Sequence, residues 1–434
     1  MTSTPTILLL GTCDTKLPEL LYTKSAILAQ GPNNVLILDI GRIPSSSSEV
    51  DIKQSDLLGA PLLHHDVKQT TTPPPLPPTS GKSKSKEINT LDRDSYIKTL
   101  TPYGGSCGTA LATGALRDGL PVGFPKLMVS TMASGDVGPY IGETDIAMMY
   151  SVVDIAGRNR VLDMVLRNAA GAIAGMGRVC YCQQIKQQEA ASIEIEGEDN
   201  SEATSTVRIG ISMFGVTTPA VTIARKHLES ILPGCEVYVF HATGSGGRAM
   251  ERLISEGQLD AVLDLTTTEI ADEVVGGVLS AGPDRLVAAT KRDIPRVVSV
   301  GACDMVNFGT FDSIPEKFAN ERLGAQRVFH RHNPTVTLMR TTVEECRDIA
   351  RVIARNIRDS SRTKVLLPIG GVSMVDIPGQ PFWNPDVDED FFSTLEEELS
   401  DSGIEIVKDG RDINHPELAK LAAEMLRDLI KVSR

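Results

Sequence analysis

The sequence has no run approaching the roughly eighteen consecutive apolar residues of a membrane-spanning helix, so a membrane-embedded chain is not expected. It has no basic excess: 43 Lys and Arg stand against 56 Asp and Glu, a formal charge of −13. Gripping nucleic acid or anionic lipid needs the opposite balance, which excludes DNA and membrane as expected partners. Cysteine is sparse, with seven scattered residues, and an odd number without framework spacing fits reduced thiols in the cytosol. Cys180 and Cys182 stand as C-x-C with no second ligand pair nearby. Structural zinc takes about four clustered ligands, so no metal is expected there. The start, "MTSTPTILLLGTCDTK", lacks the basic region of a secretory signal, and a cytoplasmic chain is expected. Also missing are the Walker A pattern G-x-x-x-x-G-K-[ST] and the dinucleotide fingerprint G-x-G-x-x-G.

What is present is the material of an α/β protein. At 434 residues, 41% hydrophobic and 23% charged, the chain is long enough for about two or three ordinary globular domains. Residues 6–11 read as a buried strand, 17–30 as a helix and 35–40 ("VLILDI") as a second buried strand. Strand, helix, strand in short order implies a parallel sheet. From 42 to 94 the pattern gives way to "SSSS", "TTTPPPLPPTSG" and "KSKSK", which bury too little apolar surface to order themselves; a flexible insertion is expected. Order returns with "GGSCGTALATGAL" and "PKLMVSTMA" and with an Ala/Gly-rich helix, "NRVLDMVLRNAAGAIAGMG". An acidic, polar stretch at 187–205 reads as a linker, and strand–helix alternation restarts at "VRIGISMFG". Two Rossmann-like doubly wound parallel-sheet domains, 1–186 and 206–434, are the expected architecture.

In open parallel sheets, ligands gather beyond the carboxyl ends of the strands. "GTCDTK" lies there, with Gly11 for close backbone approach, the hydroxyls of Thr12 and Thr15, Asp14 as a cap or a holder of a magnesium-bound water, and the cation of Lys16. "GGSCGTA" repeats the arrangement with Gly104, Gly105, Ser106, Gly108 and Thr109, and "VSTMASGD" follows another strand with Thr131 and Ser134. Glycine N–H groups at a helix start form an anion site; the same turns also serve as plain helix caps. In the second half, "FHATGSGGRAME" is a further glycine cradle. Glu269, Asp304, His332, Arg340 and Asp376 stand at or near successive strand ends. Together they would suit acid–base chemistry on a small anionic metabolite. Each also has a plain reading: Glu269 as a helix N-terminal acid, His332 as a turn histidine, Gly370 and Gly371 as turn geometry.

"GTCDTK", "GGSCGTALATGAL", "PKLMVSTMASGDV", "VFHATGSGGRAME", "LDLTTTEIADEVVGGV", "HNPTVTLMRTT" and "GVSMVDIPGQPF" resemble, in order and over nearly the whole chain, the two-domain family that includes the tomato mosaic virus resistance protein. That resemblance implies two Rossmann-like domains, ATP binding in the N-terminal one with magnesium as companion, and a homodimer. Carried across, the nucleotide would meet Gly11, Thr12, Asp14, Thr15 and Lys16, then Gly104, Gly105, Ser106, Gly108 and Thr109, with Thr131, Met132, Ala133 and Ser134 nearby. Cys13 stands where the family pattern has alanine.

Three readings of function follow. The first is a cytoplasmic nucleotide-binding protein that holds phosphates on the N-terminal turns. The second is an enzyme of the C-terminal domain or inter-domain cleft, with nucleotide as co-substrate or regulator. The third is an interaction protein whose 42–94 insertion binds a partner.

Overall fold

β1 (Thr6–Gly11), sequence TILLLG, is buried along its whole length, as a strand covered on both faces must be. The structure, a computed structural model, describes residues 4–57, 100–104, 106–196, 206–318 and 327–432. The chain divides into two compact units, Met1–Ser201 and Glu202–Arg434.

Among the described residues, the first unit carries a five-stranded parallel sheet of β1, β2 (Asn34–Asp39), β3 (Leu100–Gly104), β4 (Leu127–Ser130) and β5 (Ala147–Tyr150). Its order is β2-β1-β3-β4-β5. Alternation along β1 sends Ile7 and Leu9 to one face, where they meet Leu20 and Ile27 of helix Cys13–Leu28 and Leu162, Leu166 and Ile173 of helix Arg160–Glu196. Leu8 and Leu10 take the other face with Ala112 and Leu116 of helix Ser106–Gly119. Each fully buried leucine contributes about 1.5–3 kcal/mol. The sheet is thus doubly wound, and its order reverses between β1 and β3, where ligands of such sheets collect.

Three boundaries differ from the sequence reading. Helical structure begins at Cys13 rather than 17, with a break at Lys16 (φ −129°, ψ 15°). Pro18, which has no N–H to give, then lies in the first turn after the break, where proline is tolerated. The expected break at 42 begins later. Val50 is buried, Ile52 bridges Leu38, and Asp51 accepts a 2.8 Å hydrogen bond from the Ile37 N–H. Residues 58–94 of the expected insertion lie outside the described residues. The expected linker at 187 is still helix, since Arg160–Glu196 continues through it; 197–205 lie outside the described residues.

The second unit has a six-stranded parallel sheet of β6 (Arg208–Met213), β7 (Glu236–His241), β8 (Ala261–Thr266), β9 (Arg296–Gly301), β13 (Thr363–Pro368) and β14 (Glu405–Asp409). The order β14-β13-β9-β8-β6-β7 places its reversal between β6 and β8. Helices Thr218–Ile231 and Pro416–Val432 cover one face, and Val343–Ile357 and Pro385–Leu399 cover the other. A three-stranded antiparallel sheet of β10 (Met305–Phe308), β11 (Phe329–Asn333) and β12 (Val336–Arg340), in the order β10-β12-β11, is inserted between β9 and β13. Among the described residues no helix is long and apolar enough to cross a membrane.

Candidate functional site

The two N-terminal turns start from neighbouring strands. β1 and β3 pair in parallel with Gly11 beside Tyr103, so Gly11–Lys16 and the entry to helix Ser106–Gly119 share one edge of the sheet. Thr12 and Thr15 point hydroxyls at each other, 2.9 Å apart, at an exposed position. A Cβ at Gly11 would press on Leu20, which accounts for the glycine by packing. Asp39, buried at the end of β2, accepts from the N–H groups of Cys13 (3.0 Å), Gly41 (2.8 Å) and Ser45 (2.9 Å). One N–H of the first helical turn is therefore already spent on an internal carboxylate. Asp14 accepts from the Arg42 and Ile43 N–H groups at 3.1 and 3.3 Å. Lys16 donates to the Ile155 carbonyl. Two residues on, the Gly157 N–H donates to Glu19 at 2.8 Å.

At the end of β4, Ser130 is tied to Thr109 of the neighbouring turn at 2.6 Å and accepts from the Met132 N–H. Thr131, Met132, Ala133 and Ser134 form one 3-10 turn closed by Ser134 donating to the Thr131 carbonyl. The structure thus joins the β3 and β4 turns through one hydroxyl pair. Gly104 ends β3 and Gly108 lies in the helix that follows. Gly105 lies outside the described residues.

In the second unit the glycine cradle after β7 is filled from within. Glu269 is fully buried, and one of its oxygens accepts from the N–H groups of Gly244 (2.7 Å) and Gly247 (3.0 Å). A Cβ at Gly247 would collide with that carboxylate. Its other oxygen accepts from Arg285 Nε at 2.9 Å. Arg285 also holds Asp264 and Glu251, and these carboxylates keep it charged although burial works against the charge. Glu269 was a candidate for catalysis at a strand end; here both oxygens are bonded inside the fold. The cradle holds an anion, and the anion is the protein's own. Asp272, in the same helix, is pushed up to about 7 by burial, against the pull of the Asn307 and Leu279 N–H groups.

Asp304, Arg340 and Asp376 do converge. Arg340 ends β12 and is almost completely buried. Its Nε donates to the Phe382 carbonyl (2.9 Å), Nη1 to Thr341 Oγ1 (2.9 Å) and Nη2 to Asp388 (2.6 Å), with Asp376 at 3.7 Å. Asp304 accepts from Ser373 Oγ at 2.8 Å and Asp376 from the Val372 N–H at 3.1 Å. Two acids, Asp376 and Asp388, thus flank the guanidinium, and Asp304 lies near enough to feel its charge. An oxygen on each of Asp304, Asp376 and Asp388 has no hydrogen-bond partner. Burial raises all three carboxyls, Asp304 to about 7 against the pull of Arg340 and Asp376 to about 9 with Asp304 and Asp388 adding to the rise. Every nitrogen of Arg340 has a partner inside the fold, so the arginine proposed for substrate is committed internally. Asp388 was missed by sequence reasoning. It sits inside an acidic helix start, "PDVDED", and only its contact with Arg340, 48 residues away, sets it apart.

His332 is not brought to this group. It lies at a bulge in β11, exposed, where the register with β12 shifts between Arg331 and Asn333. Among the described residues no group of three or more His, Cys, Asp and Glu is arranged to hold a metal. An open depression of about 690 Å³ lies on the outer faces of helices Val343–Ile357 and Pro385–Leu399, away from the strand ends. Its arginines are paired, Arg347 with Asp390 at 2.6 Å and Arg358 with Asp401 at 2.9 Å, so it offers an anion no free cation.

Comparison with known proteins places this geometry in a family. The N-terminal-domain model of the uncharacterised protein family UPF0261 matches residues 5–181, and its C-terminal-domain model matches residues 206–430. A UPF0261 protein of Clostridium tetani is 40% identical across 98% of this chain and 99% of its own length. One from Rhizobium meliloti is 39% identical across 98% of both. The tomato (Solanum lycopersicum) ToMV resistance protein Tm-1(GCR237) is 37% identical over 88% of this chain and 50% of its own length. A solved MurG of Acinetobacter baumannii aligns over 98% of this chain and 99% of its own at 9% identity, with a TM-score of 0.19, a value that says nothing of function. The chain belongs to the UPF0261 family, as its motifs led one to expect.

Proposed function

We propose that the N-terminal unit binds a nucleotide, ATP with magnesium, at the edge of its sheet where strand order reverses. The observation that carries this reading is the pairing of β1 with β3. It brings two glycine-rich, hydroxyl-bearing turns, far apart in sequence, to adjacent strand ends. ATP is the ligand implied by the resemblance of those turns; the arrangement supports a phosphate-bearing ligand in general. Thr12 and Thr15 would supply hydroxyls, and the start of helix Ser106–Gly119 its N–H groups and dipole. Magnesium, when bound, would offset phosphate charge. Lys16 would do the same, exchanging the Ile155 carbonyl for a phosphate oxygen. Because Asp39 already takes the Cys13 N–H, the phosphates depend on the hydroxyls and the second turn more than on the first helix. A homodimer, on the family resemblance, and a cytoplasmic location, on the scattered cysteines without framework spacing, complete the reading.

An enzyme of the C-terminal unit is the weaker alternative, because Glu269 and Arg340 are bonded within the fold. The test is calorimetric titration of the full chain and two variants with Mg-ATP. Thr12→Val and Lys16→Ala are each expected to weaken binding by about tenfold or more, the loss of roughly one charge-assisted hydrogen bond. Unchanged affinity in both, with circular dichroism intact, contradicts the placement.

A further inference from the structure

The loop 369–384 lies across the carboxyl edge of the six-stranded sheet and is fastened to several strand ends. The Ala302 N–H after β9 donates to the Val372 carbonyl (2.9 Å), the Met374 N–H donates to the Val216 carbonyl after β6 (3.1 Å), and the Ile413 N–H after β14 donates to the Gly371 carbonyl (2.9 Å). Gly371 (φ +131°) is pressed against the Asp376 carbonyl so closely that no Cβ fits. Phe382 plugs the apolar cluster of Val216, Ala302, Met305 and Leu338, while its carbonyl is held by Arg340. The loop therefore covers the region where a ligand of this sheet would enter, and buried acids fasten it as well, Asp304 through Ser373 and Asp388 through Arg340, which holds the Phe382 carbonyl.

We propose that Asp304, Asp376, Asp388 and Arg340 form a proton-held latch on this loop, closed while the cluster keeps its protons and released when they leave to solvent. The warrant is a charge imbalance in a buried place. One guanidinium serves three buried carboxyls, with Asp388 at 2.6 Å, Asp376 at 3.7 Å and Asp304 beyond ion-pair reach, and one oxygen on each carboxyl accepts no hydrogen bond from the N–H and O–H donors around it. One cation cannot compensate three anions out of water, so the closed state requires bound protons. The other titratable groups that face the cluster add no positive charge. They are the Cys346 thiol from helix Val343–Ile357, bonded to Thr341 at 3.2 Å, and the Cys303 thiol, bonded to Thr267 at 3.3 Å. Both thiols are raised by burial and stay neutral. His330 of β11 touches Phe382 edge-on, 6.4 Å between ring centres, and reaches the loop rather than the carboxyls. Ser373 and Thr341 are neutral donors. As pH rises, Asp304 ionises before Asp376, and once both are charged, repulsion falls on the segment carrying Val372 and Phe382.

The chain holds one tryptophan, Trp383, half-buried next to Phe382, so its fluorescence reads the latch directly. Emission of the full chain would be followed from about pH 6 to about pH 10, the span over which raised carboxyls release protons, with far-ultraviolet circular dichroism in parallel. The wild type is expected to show a reversible red shift while its secondary structure stays constant. Asp376→Asn, which keeps a neutral group at that position, is expected to abolish the shift. Asp304→Asn removes a charge that raises Asp376 and is expected to move the midpoint to lower pH, and it decides the matter should Asp376→Asn fail to fold. A wild type with flat emission, or a transition that neither variant alters, overturns the proposal.

Discussion

Arg285 is 1% exposed and holds three acids from three segments, Glu251, Asp264 and Glu269. Alone, each of these acids reads as a surface or catalytic group; together with the arginine they are an internal brace. Arg285→Ala would leave three buried acidic side chains without their shared partner, and the expected loss is about 3–5 kcal/mol of unfolding free energy by urea titration. A loss under about 1 kcal/mol would mean that the brace is not formed. The polar character of the strand-end turns was legible in the sequence. Which acid meets which cation was not, because Glu269 and Arg285 are 16 residues apart and Arg340 and Asp388 are 48 apart. Nothing local marks Asp388 among its acidic neighbours. Arg296 shows the same limit. It lies fully buried with only neutral hydrogen-bond partners, and burial lowers it to about 10.

The strands and helices were largely readable, because the central parallel strands β1, β8 and β9 are buried along their length and the helices between the strands carry apolar residues at helical spacing. Thr342 is the clearest cap. Its hydroxyl accepts from the Glu345 N–H (3.3 Å), while Glu345 accepts from the Thr342 N–H (2.9 Å), the reciprocal pair of a capping box. Thr342→Ala is expected to lower stability by roughly 1 kcal/mol, read as a reduced denaturation midpoint; no change would mean that Glu345, which also pairs with Arg327 at 3.1 Å, holds the turn unaided. The antiparallel sheet was not foreseen. β10 has four residues, and β11, "FHRHN", is mostly exposed and polar, so neither carries an apolar period. The strand orders were also beyond local reading, since which strands become neighbours depends on how each crossover packs across the sheet.

Taken whole, the chain carries a net negative charge, and its C-terminal unit hides carboxyls that hold protons in the folded state. The sign of the pH effect follows. Asp304 and Asp376 rise from an ordinary 3.8 to about 7 and about 9. The folded state therefore keeps protons that the unfolded chain has released. This contribution to stability is complete below the unfolded value and is lost as pH rises through the folded values. Scanning calorimetry should show Tm falling between neutral and mildly alkaline pH, with Asp376→Asn flattening the slope; a Tm that rises over that window would contradict the assignment.

The most direct test of the central claim is titration of purified, folded wild-type protein with Mg-ATP in a calorimeter. Two turns that share one sheet edge predict a saturable heat with one nucleotide per chain. A well-folded protein that gives no heat, or one whose heat survives both Thr12→Val and Lys16→Ala unchanged, would contradict nucleotide binding at the β1–β3 edge.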